Sequence, residues 1–173
     1  NIPQEPESAD HETRKPIVIA AIPCFNEERF IGSVVVKAKK YVDKVIVIDD
    51  GSTDATAQVA GDAGAVVCRH SRNLGYGAAT RTALQEGKKL APEVLVVLDG
   101  DGQHDPADIP RLINPVLSGE ADVVIGSRFL GKGKRPPFYR RFGQRALTIA
   151  TNLGSGQRVS DSQSGFRAYS WKA

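Results

Sequence analysis

Asp99 and Asp101 stand two residues apart, directly after the apolar run Val94 to Leu98. In an extended segment that spacing sends both side chains off the same side of the chain, so two carboxylates can converge on one cation. Gln103 continues the spacing and adds an amide oxygen. Oxygen ligands of this kind suit a hard divalent ion, Mg2+ or Mn2+, which commonly bridges carboxylates to phosphate oxygens and neutralises charge on a departing diphosphate. The spacing therefore suits a nucleotide-diphosphate ligand.

Other proteins place Asp-x-Asp differently. A calcium EF-hand starting at Asp99 needs glycine at its sixth position and glutamate at its twelfth, where this chain has His104 and Pro110. No stretch supplies the Gly-x-x-x-x-Gly-Lys-Ser/Thr of a P-loop. A solvated acidic turn is the plain alternative for an isolated pair, and what sets this pair apart is its company.

That company comes from the elements that must carry it. Ile17 to Ile22, Val45 to Asp49, Ala65 to Cys68, Val94 to Leu98 and Asp122 to Ile125 are short, largely β-branched runs of the kind found in strands buried on both faces. Between them, 28–41, 53–63, 78–90 and 106–117 carry apolar residues at helical spacing, and Asp105-Pro106 is a strong helix start. The alternation predicts an α/β fold with a mostly parallel sheet, right-handed crossovers and helices on both faces. Ligands of such sheets bind beyond the carboxyl ends of the strands. Five loops leave that edge: Pro23 to Glu28, Asp50 to Asp54, Arg72 to Gly77, Asp99 to Asp105, and Gly126 to Arg128.

In the second loop Asp49 and Asp50 can accept hydrogen bonds from a base edge or a ribose, while Ser52 and Asp54 also suit a helix start. Glu27 is a further base or ribose contact; helix-start electrostatics alone accounts for Glu28. Gly75 and Gly77 would let the backbone approach a ligand or a helix pack closely.

The 173 residues, 40% hydrophobic and 25% charged, suit one globular domain, read as 16–173 after a flexible, polar lead-in over 1–15. Nothing approaches the roughly 18 consecutive apolar residues of a membrane span. Cys24 and Cys68 each follow an apolar run and read as buried thiols in a reducing, cytoplasmic setting. The chain starts at Asn1 and has no methionine, so a fragment is expected. Charge is uneven: eight Lys or Arg and no Asp or Glu lie between Arg128 and Ser160, so the net charge of +3 leaves −5 for the rest. Nucleic acid is not an expected partner, since no known binding module is present and aromatics are 6% of the chain.

Taken together, Ile22-Pro23-Cys24-Phe25-Asn26-Glu27, Val47 to Asp54, Asn73-Leu74-Gly75, Leu98 to His104, Gly126-Ser127-Arg128 and Asp161-Ser162-Gln163-Ser164-Gly165-Phe166 resemble the family-2 glycosyltransferases of GT-A fold. Within them the chain looks most like the dolichol-phosphate mannose synthase branch, over Ile17 to Tyr169. The resemblance implies inverting transfer of a hexose from a nucleotide-diphospho-sugar, of GDP-mannose or UDP-glucose type, to a polyprenyl (dolichyl) phosphate. Asp99, Asp101 and Gln103 would surround Mg2+ or Mn2+. Pro23, Phe25, Glu27, Asp50, Asp99, Gly100 and Asp101 would line the nucleotide-sugar pocket. Asp101, Asp161 and Arg128 are the expected catalytic residues, with Asp161 as a general base or acceptor-positioning group; a turn-forming aspartate is its alternative. Arg128 and Arg140 could meet the acceptor phosphate through planar guanidinium groups.

The basic stretch then has a partner in an anionic lipid surface, worth about 1 kcal/mol per nearby Lys or Arg. Lys132, Lys134 and Arg135 beside Pro136-Pro137 would lie on it, placing the protein peripherally on the cytoplasmic face; an ordinary solvated surface is the alternative. Members of the family continue beyond the point matching Ala173, so an incomplete acceptor side is expected. A saccharide acceptor, or a non-catalytic nucleotide-sugar-binding module, are the competing readings.

Overall fold

The computed structural model describes residues 15–126 and 164–170. Strands β1 (Val18–Cys24), β2 (Lys44–Asp49), β3 (Val66–Arg69), β4 (Val94–Val97), β5 (Val123–Ile125) and β6 (Arg167–Ser170) form one sheet in the order β3-β2-β1-β4-β6-β5. The helices are α1 (Ile31–Ala38), α2 (Thr56–Asp62), α3 (Tyr76–Lys88) and α4 (Ile109–Leu117), the last preceded by a 3-10 turn at Pro106–Asp108.

All five expected strands are present. β1 pairs in parallel with β2 and β4, and β2 with β3. The sixth was not expected: β6 runs antiparallel between β4 and β5, pairing Val97 with Arg167 on one side and Ile125 with Arg167 on the other. Its four residues, Arg-Ala-Tyr-Ser, are too short and too polar to announce a strand, and pairing on both sides is what makes them one. Two strands are less buried than their composition suggests. β3 lies at the sheet edge with Val66 half exposed, and β5 at the opposite edge exposes Val123.

Two packed layers cover the central strands. Val18, Ala20 and Ile22 of β1, with Val45, Val47, Val94 and Val96, face Ile31, Val34 and Val35 of α1 and Ile109, Leu112 and Ile113 of α4. The alternate residues Ile19, Ala21, Ile46, Ile48 and Leu95 face Ala79 and Ala83 of α3. Helices thus lie on both faces, as the unbroken apolar strands require. Small residues spaced by four bring α3 close to the sheet: a methyl group at Gly87 would lie 2.6 Å from Leu95 Cδ1.

The first two helices begin later than their patterns suggest, because the preceding residues are engaged elsewhere, whereas α3 begins at Tyr76, ahead of the expected 78. Glu28 accepts from Ala55 N–H (2.9 Å) and its own N–H donates to Asp54 Oδ2 (3.2 Å), so α1 starts at Ile31. Thr53 N–H donates to Asn26 Oδ1 (2.9 Å), and α2 starts at Thr56. Asp105 does cap the turn at Pro106, accepting from Ala107 N–H (3.1 Å), but the first turn is 3-10.

Gly51 sits between β2 and α2 at φ +73, and a methyl group there would overlap the backbone of Arg72. Left-handed backbone costs a non-glycine residue roughly 1–2 kcal/mol before any overlap. Gly51→Ala should therefore lower unfolding stability by about 2 kcal/mol or more, read as a drop in denaturant midpoint. A midpoint equal to the parent's would show that the 50–54 and 72–73 loops are not in contact.

Candidate active site

The loops that leave β1 and β2 are sewn together by side chains. Asn26 takes a positive φ of 55, its N–H donates to Ser52 Oγ (2.9 Å), and its own amide oxygen accepts from Thr53. Glu27 N–H donates to Thr56 Oγ1 (2.7 Å). Asp54 accepts from Thr56 N–H (3.0 Å) and from the Thr56 hydroxyl. Ser52 and Asp54 are thus loop cross-links, and Asp49 is a third. Asp49 is fully buried, accepts from Ser52 N–H (3.0 Å), and faces Arg69 Nε at 3.0 Å without hydrogen-bond alignment to Oδ2.

Asp50 joins the ends of three elements. Its Oδ1 meets His70 Nδ1 at 2.6 Å and accepts from Leu74 N–H at 3.0 Å, while Oδ2 accepts from Gly75 N–H at 2.8 Å. Burial disfavours the charged carboxylate, but the His70 side chain and the two amides outweigh it and hold the carboxyl below its ordinary value. His70 completes the arrangement with Nε2 3.0 Å from Thr82 Oγ1 on α3. Sequence reasoning passed over His70; its place just after β3 was the available signal.

Leu98 N–H bonds to Ala21 O (3.2 Å), and the chain then delivers Asp99 to Asp101 beside the end of β1. Gly100 packs so tightly that a methyl group there would stand 2.9 Å from Cys24 Cβ. Tyr76 Oη donates to Asp99 Oδ1 (3.0 Å), and Gln103 N–H donates to Asp101 Oδ1 (2.9 Å). His104 Nε2 lies 3.9 Å from Asp99 Oδ2, and its ring stands 5.2 Å from that of Phe166.

These residues enclose a cleft of about 420 Å³ at the carboxyl edge of the sheet. Pro23, Phe25, Glu27, Asp50, Asp99, Gly100 and Asp101, the seven expected pocket residues, all line it. So do Cys24, Asn73, Gly75, Tyr76 and Ala79. Of these, Cys24 and the loop from Arg72 to Gly77 had been singled out, and Ala79 had not. The Gln103 side chain is exposed and outside the lining; the structure brings its backbone, not its amide, to Asp101. Arg128, Arg140, Asp161, the basic stretch 128–160 and the lead-in 1–14 lie outside the described residues.

The cleft is acidic. Desolvation first, then the negative charges of Asp101, Asp54 and Asp99, push the Glu27 carboxyl above its ordinary value. The Cys24 thiol, which contacts Ile48 O at 3.6 Å, is pushed up to about 12 by burial and by the surrounding carboxylates, so it is not a nucleophile. Cys24 is buried as expected, Cys68 only partly, and both are free. Among the described residues, no three His, Cys, Asp or Glu side chains are grouped to hold an ion by themselves.

A mostly parallel sheet carrying a carboxylate-lined cleft at its carboxyl edge, with one antiparallel strand inserted beyond β4, is the GT-A arrangement. The chain belongs to glycosyltransferase family 2: residues 19–173 match the Glycosyl transferase family 2 model. It is 39% identical to an uncharacterized protein of Methanocaldococcus jannaschii, over 94% of this chain and 68% of that one. It is 32% identical to the UDP-N-acetylglucosamine–dolichyl-phosphate N-acetylglucosaminyltransferase of Methanococcus voltae, over 91% of this chain and 70% of that one. Glucosyl-3-phosphoglycerate synthase of Mycobacterium tuberculosis, solved with Mn2+, UDP-glucose and phosphoglyceric acid, superposes with TM-score 0.67 at 27% identity, over 91% of this chain and 57% of that one. The chain thus spans little more than half of that solved structure.

Glu27 provides a test of the cleft's charge. Its raised folded-state value means that ionising it costs the folded protein stability as pH rises through the carboxylate range. Glu27→Gln should melt at the same temperature as the parent at acid pH and at a higher one at neutral pH, in the absence of ligand. Equal melting at both ends of a pH series would show that Glu27 is not crowded by Asp101 and Asp99.

Proposed function

We propose that the protein transfers a hexose from a nucleotide-diphospho-sugar to a polyprenyl phosphate, inverting the anomeric centre, with a divalent cation held by Asp99 and Asp101. The observation that carries this reading is the charge of the cleft. Among the described residues its lining contains Glu27, Asp50, Asp99 and Asp101 and no Lys or Arg. A diphosphate entering it meets four carboxyl side chains, and a cation arriving with it would offset that repulsion. A pair of carboxylates two residues apart fits Mg2+ or Mn2+, and among the described residues no third His, Cys, Asp or Glu is grouped with them, which leaves room for oxygens of the ligand and water. Bound there, the ion would neutralise charge on the departing diphosphate. Gln103 contributes through its backbone, by fixing Asp101.

Asp50 bears on the base. A carboxylate has about four acceptor positions, and His70, Leu74 and Gly75 occupy three of them. One remains, on Oδ2. A uracil edge brings one ring N–H, whereas guanine brings two adjacent N–H donors that need two acceptors. We therefore favour a uridine donor over a guanosine one. The name of the Methanococcus voltae relative and the ligands of the mycobacterial structure support this choice.

The acceptor is supported by names such as that of the undecaprenyl-phosphate mannosyltransferase of Micrococcus luteus, 31% identical over 88% of this chain. A phosphate monoester is already ionised at neutral pH, so the residues have mainly to orient it and to stabilise the leaving group. Arg128 and Arg140 on the acceptor phosphate, Asp161 as base or positioning group, and the basic stretch on an anionic membrane surface complete the reading from sequence. No helix among the described residues is long and apolar enough to cross a membrane, which suits a peripheral contact.

Titration of UDP and GDP with Mn2+ or with chelator tests the proposal. Mn2+ should tighten UDP at least tenfold, and Asp101→Ala should remove that gain. One unmatched N–H should leave GDP weaker than UDP by about tenfold, or 1.4 kcal/mol. No binding of either nucleotide, or binding indifferent to both chelator and Asp101→Ala, would sink the function; GDP binding as tightly as UDP would sink only the choice of base.

A further inference from the structure

Tyr76 has no part in the chemistry above, yet its phenol reaches the far side of the cleft. The hydroxyl donates to Asp99 Oδ1 at 3.0 Å and the residue lines the cleft. A phenol carries its proton at neutral pH and so donates it to the carboxylate.

The position of Tyr76 is set from the other end of the site. It is the first residue of α3 and follows Gly75, at φ +91. Gly75 N–H is held by Asp50 Oδ2 (2.8 Å) and Asn73 Oδ1 (3.0 Å). The carboxylate that holds the nucleotide loop therefore also directs the start of α3 toward Asp99. Gly165 closes another side of Asp99, since a methyl group there would overlap both carboxylate oxygens. An aspartate at a strand end can otherwise turn about its side-chain torsions. The phenol and the Gly165 backbone both bear on the orientation of Asp99.

We propose that Tyr76 is a positioning residue for the cation, its hydroxyl holding Asp99 in the orientation that receives a divalent ion and so coupling metal recognition to the Asp50-held nucleotide loop. The proposal rests on the reading that Asp99 and Asp101 hold a cation beside the nucleotide. Ligating carboxylates are usually oriented by an outer hydrogen-bond partner, and loss of that partner typically lowers metal affinity by about 10–100-fold. The hydroxyl uses one acceptor position of Oδ1, and His104 Nε2 lies 3.9 Å from Oδ2.

Tyr76→Phe keeps the ring and removes only the O–H. UDP is titrated against parent and variant in chelator and in Mn2+, and Mn2+ binding at saturating UDP is followed by the electron paramagnetic resonance of the free ion. The variant should bind UDP in chelator within about twofold of the parent, while its Mn2+ affinity falls by about tenfold. Mn2+ added to the UDP-saturated parent should produce a near-ultraviolet tyrosine difference band that is missing in the variant. Gly165→Ala, which displaces the same carboxylate without touching Tyr76, should also weaken Mn2+. Full Mn2+ affinity in Tyr76→Phe overturns the proposal. So does an equal loss in chelator and in Mn2+, which would mark a merely structural contact. A parent whose UDP affinity ignores Mn2+ overturns the cation reading itself, and this inference with it.

Discussion

The carboxylate of Asp50 is buried at the end of β2, where an unsatisfied anion would be expensive. Its partners come from the end of β3, in His70, and from the start of α3, in Leu74 and Gly75. One charge therefore decides where three elements meet. The meeting fixes the left-handed turn at Gly75, that turn starts α3 at Tyr76, and Tyr76 lies against Asp99. The Asp50 end and the Asp99 end of the cleft are connected through this path and not only through the sheet beneath them.

The opposite wall is built by close approach instead of by charge. Gly100 rests on Cys24 and Gly165 on Asp99, and neither place admits a methyl group. β6 is what brings Gly165 there. Because it enters antiparallel between β4 and β5, the residues just before it arrive at the same edge of the sheet as the residues just after β4. A parallel strand in that slot would deliver its leading residues to the far edge. The direction of a four-residue strand thus places Gly165 and Phe166 in the site.

The five parallel strands and the carboxyl-edge cleft were legible because they rest on continuous β-branched runs and on polar residues directly after them, from Pro23 through Asp101. What was not legible depends on contacts between segments far apart in sequence. His70 and Tyr76 follow β3 in the sequence, but their roles exist only because Asp50 and Asp99 are brought to them. The alternate spacing of Asp99, Asp101 and Gln103 assumes an extended chain, whereas Gly102 takes φ +72 and Gln103 stands exposed with its N–H on Asp101 Oδ1. The helix starts were misplaced for a related reason, since Glu28, Thr53 and Asp54 prefer partners across the loops to partners along a helix.

The acidity of the cleft limits how it can work. Glu27 is held above its ordinary value by Asp101 and Asp99 as well as by desolvation, so the lining is repulsive before any phosphate arrives. On the proposed reading, Asp99 and Asp101 with no third His, Cys, Asp or Glu grouped beside them among the described residues would make a weak resting site for an ion, and a diphosphate alone would be repelled. Each ligand would then need the other, and whatever affinity the nucleotide lent the ion, the ion would lend the nucleotide in equal measure. Such a cleft would gain selectivity from the pairing, with free phosphates lacking the cation and free cations lacking the diphosphate both disfavoured.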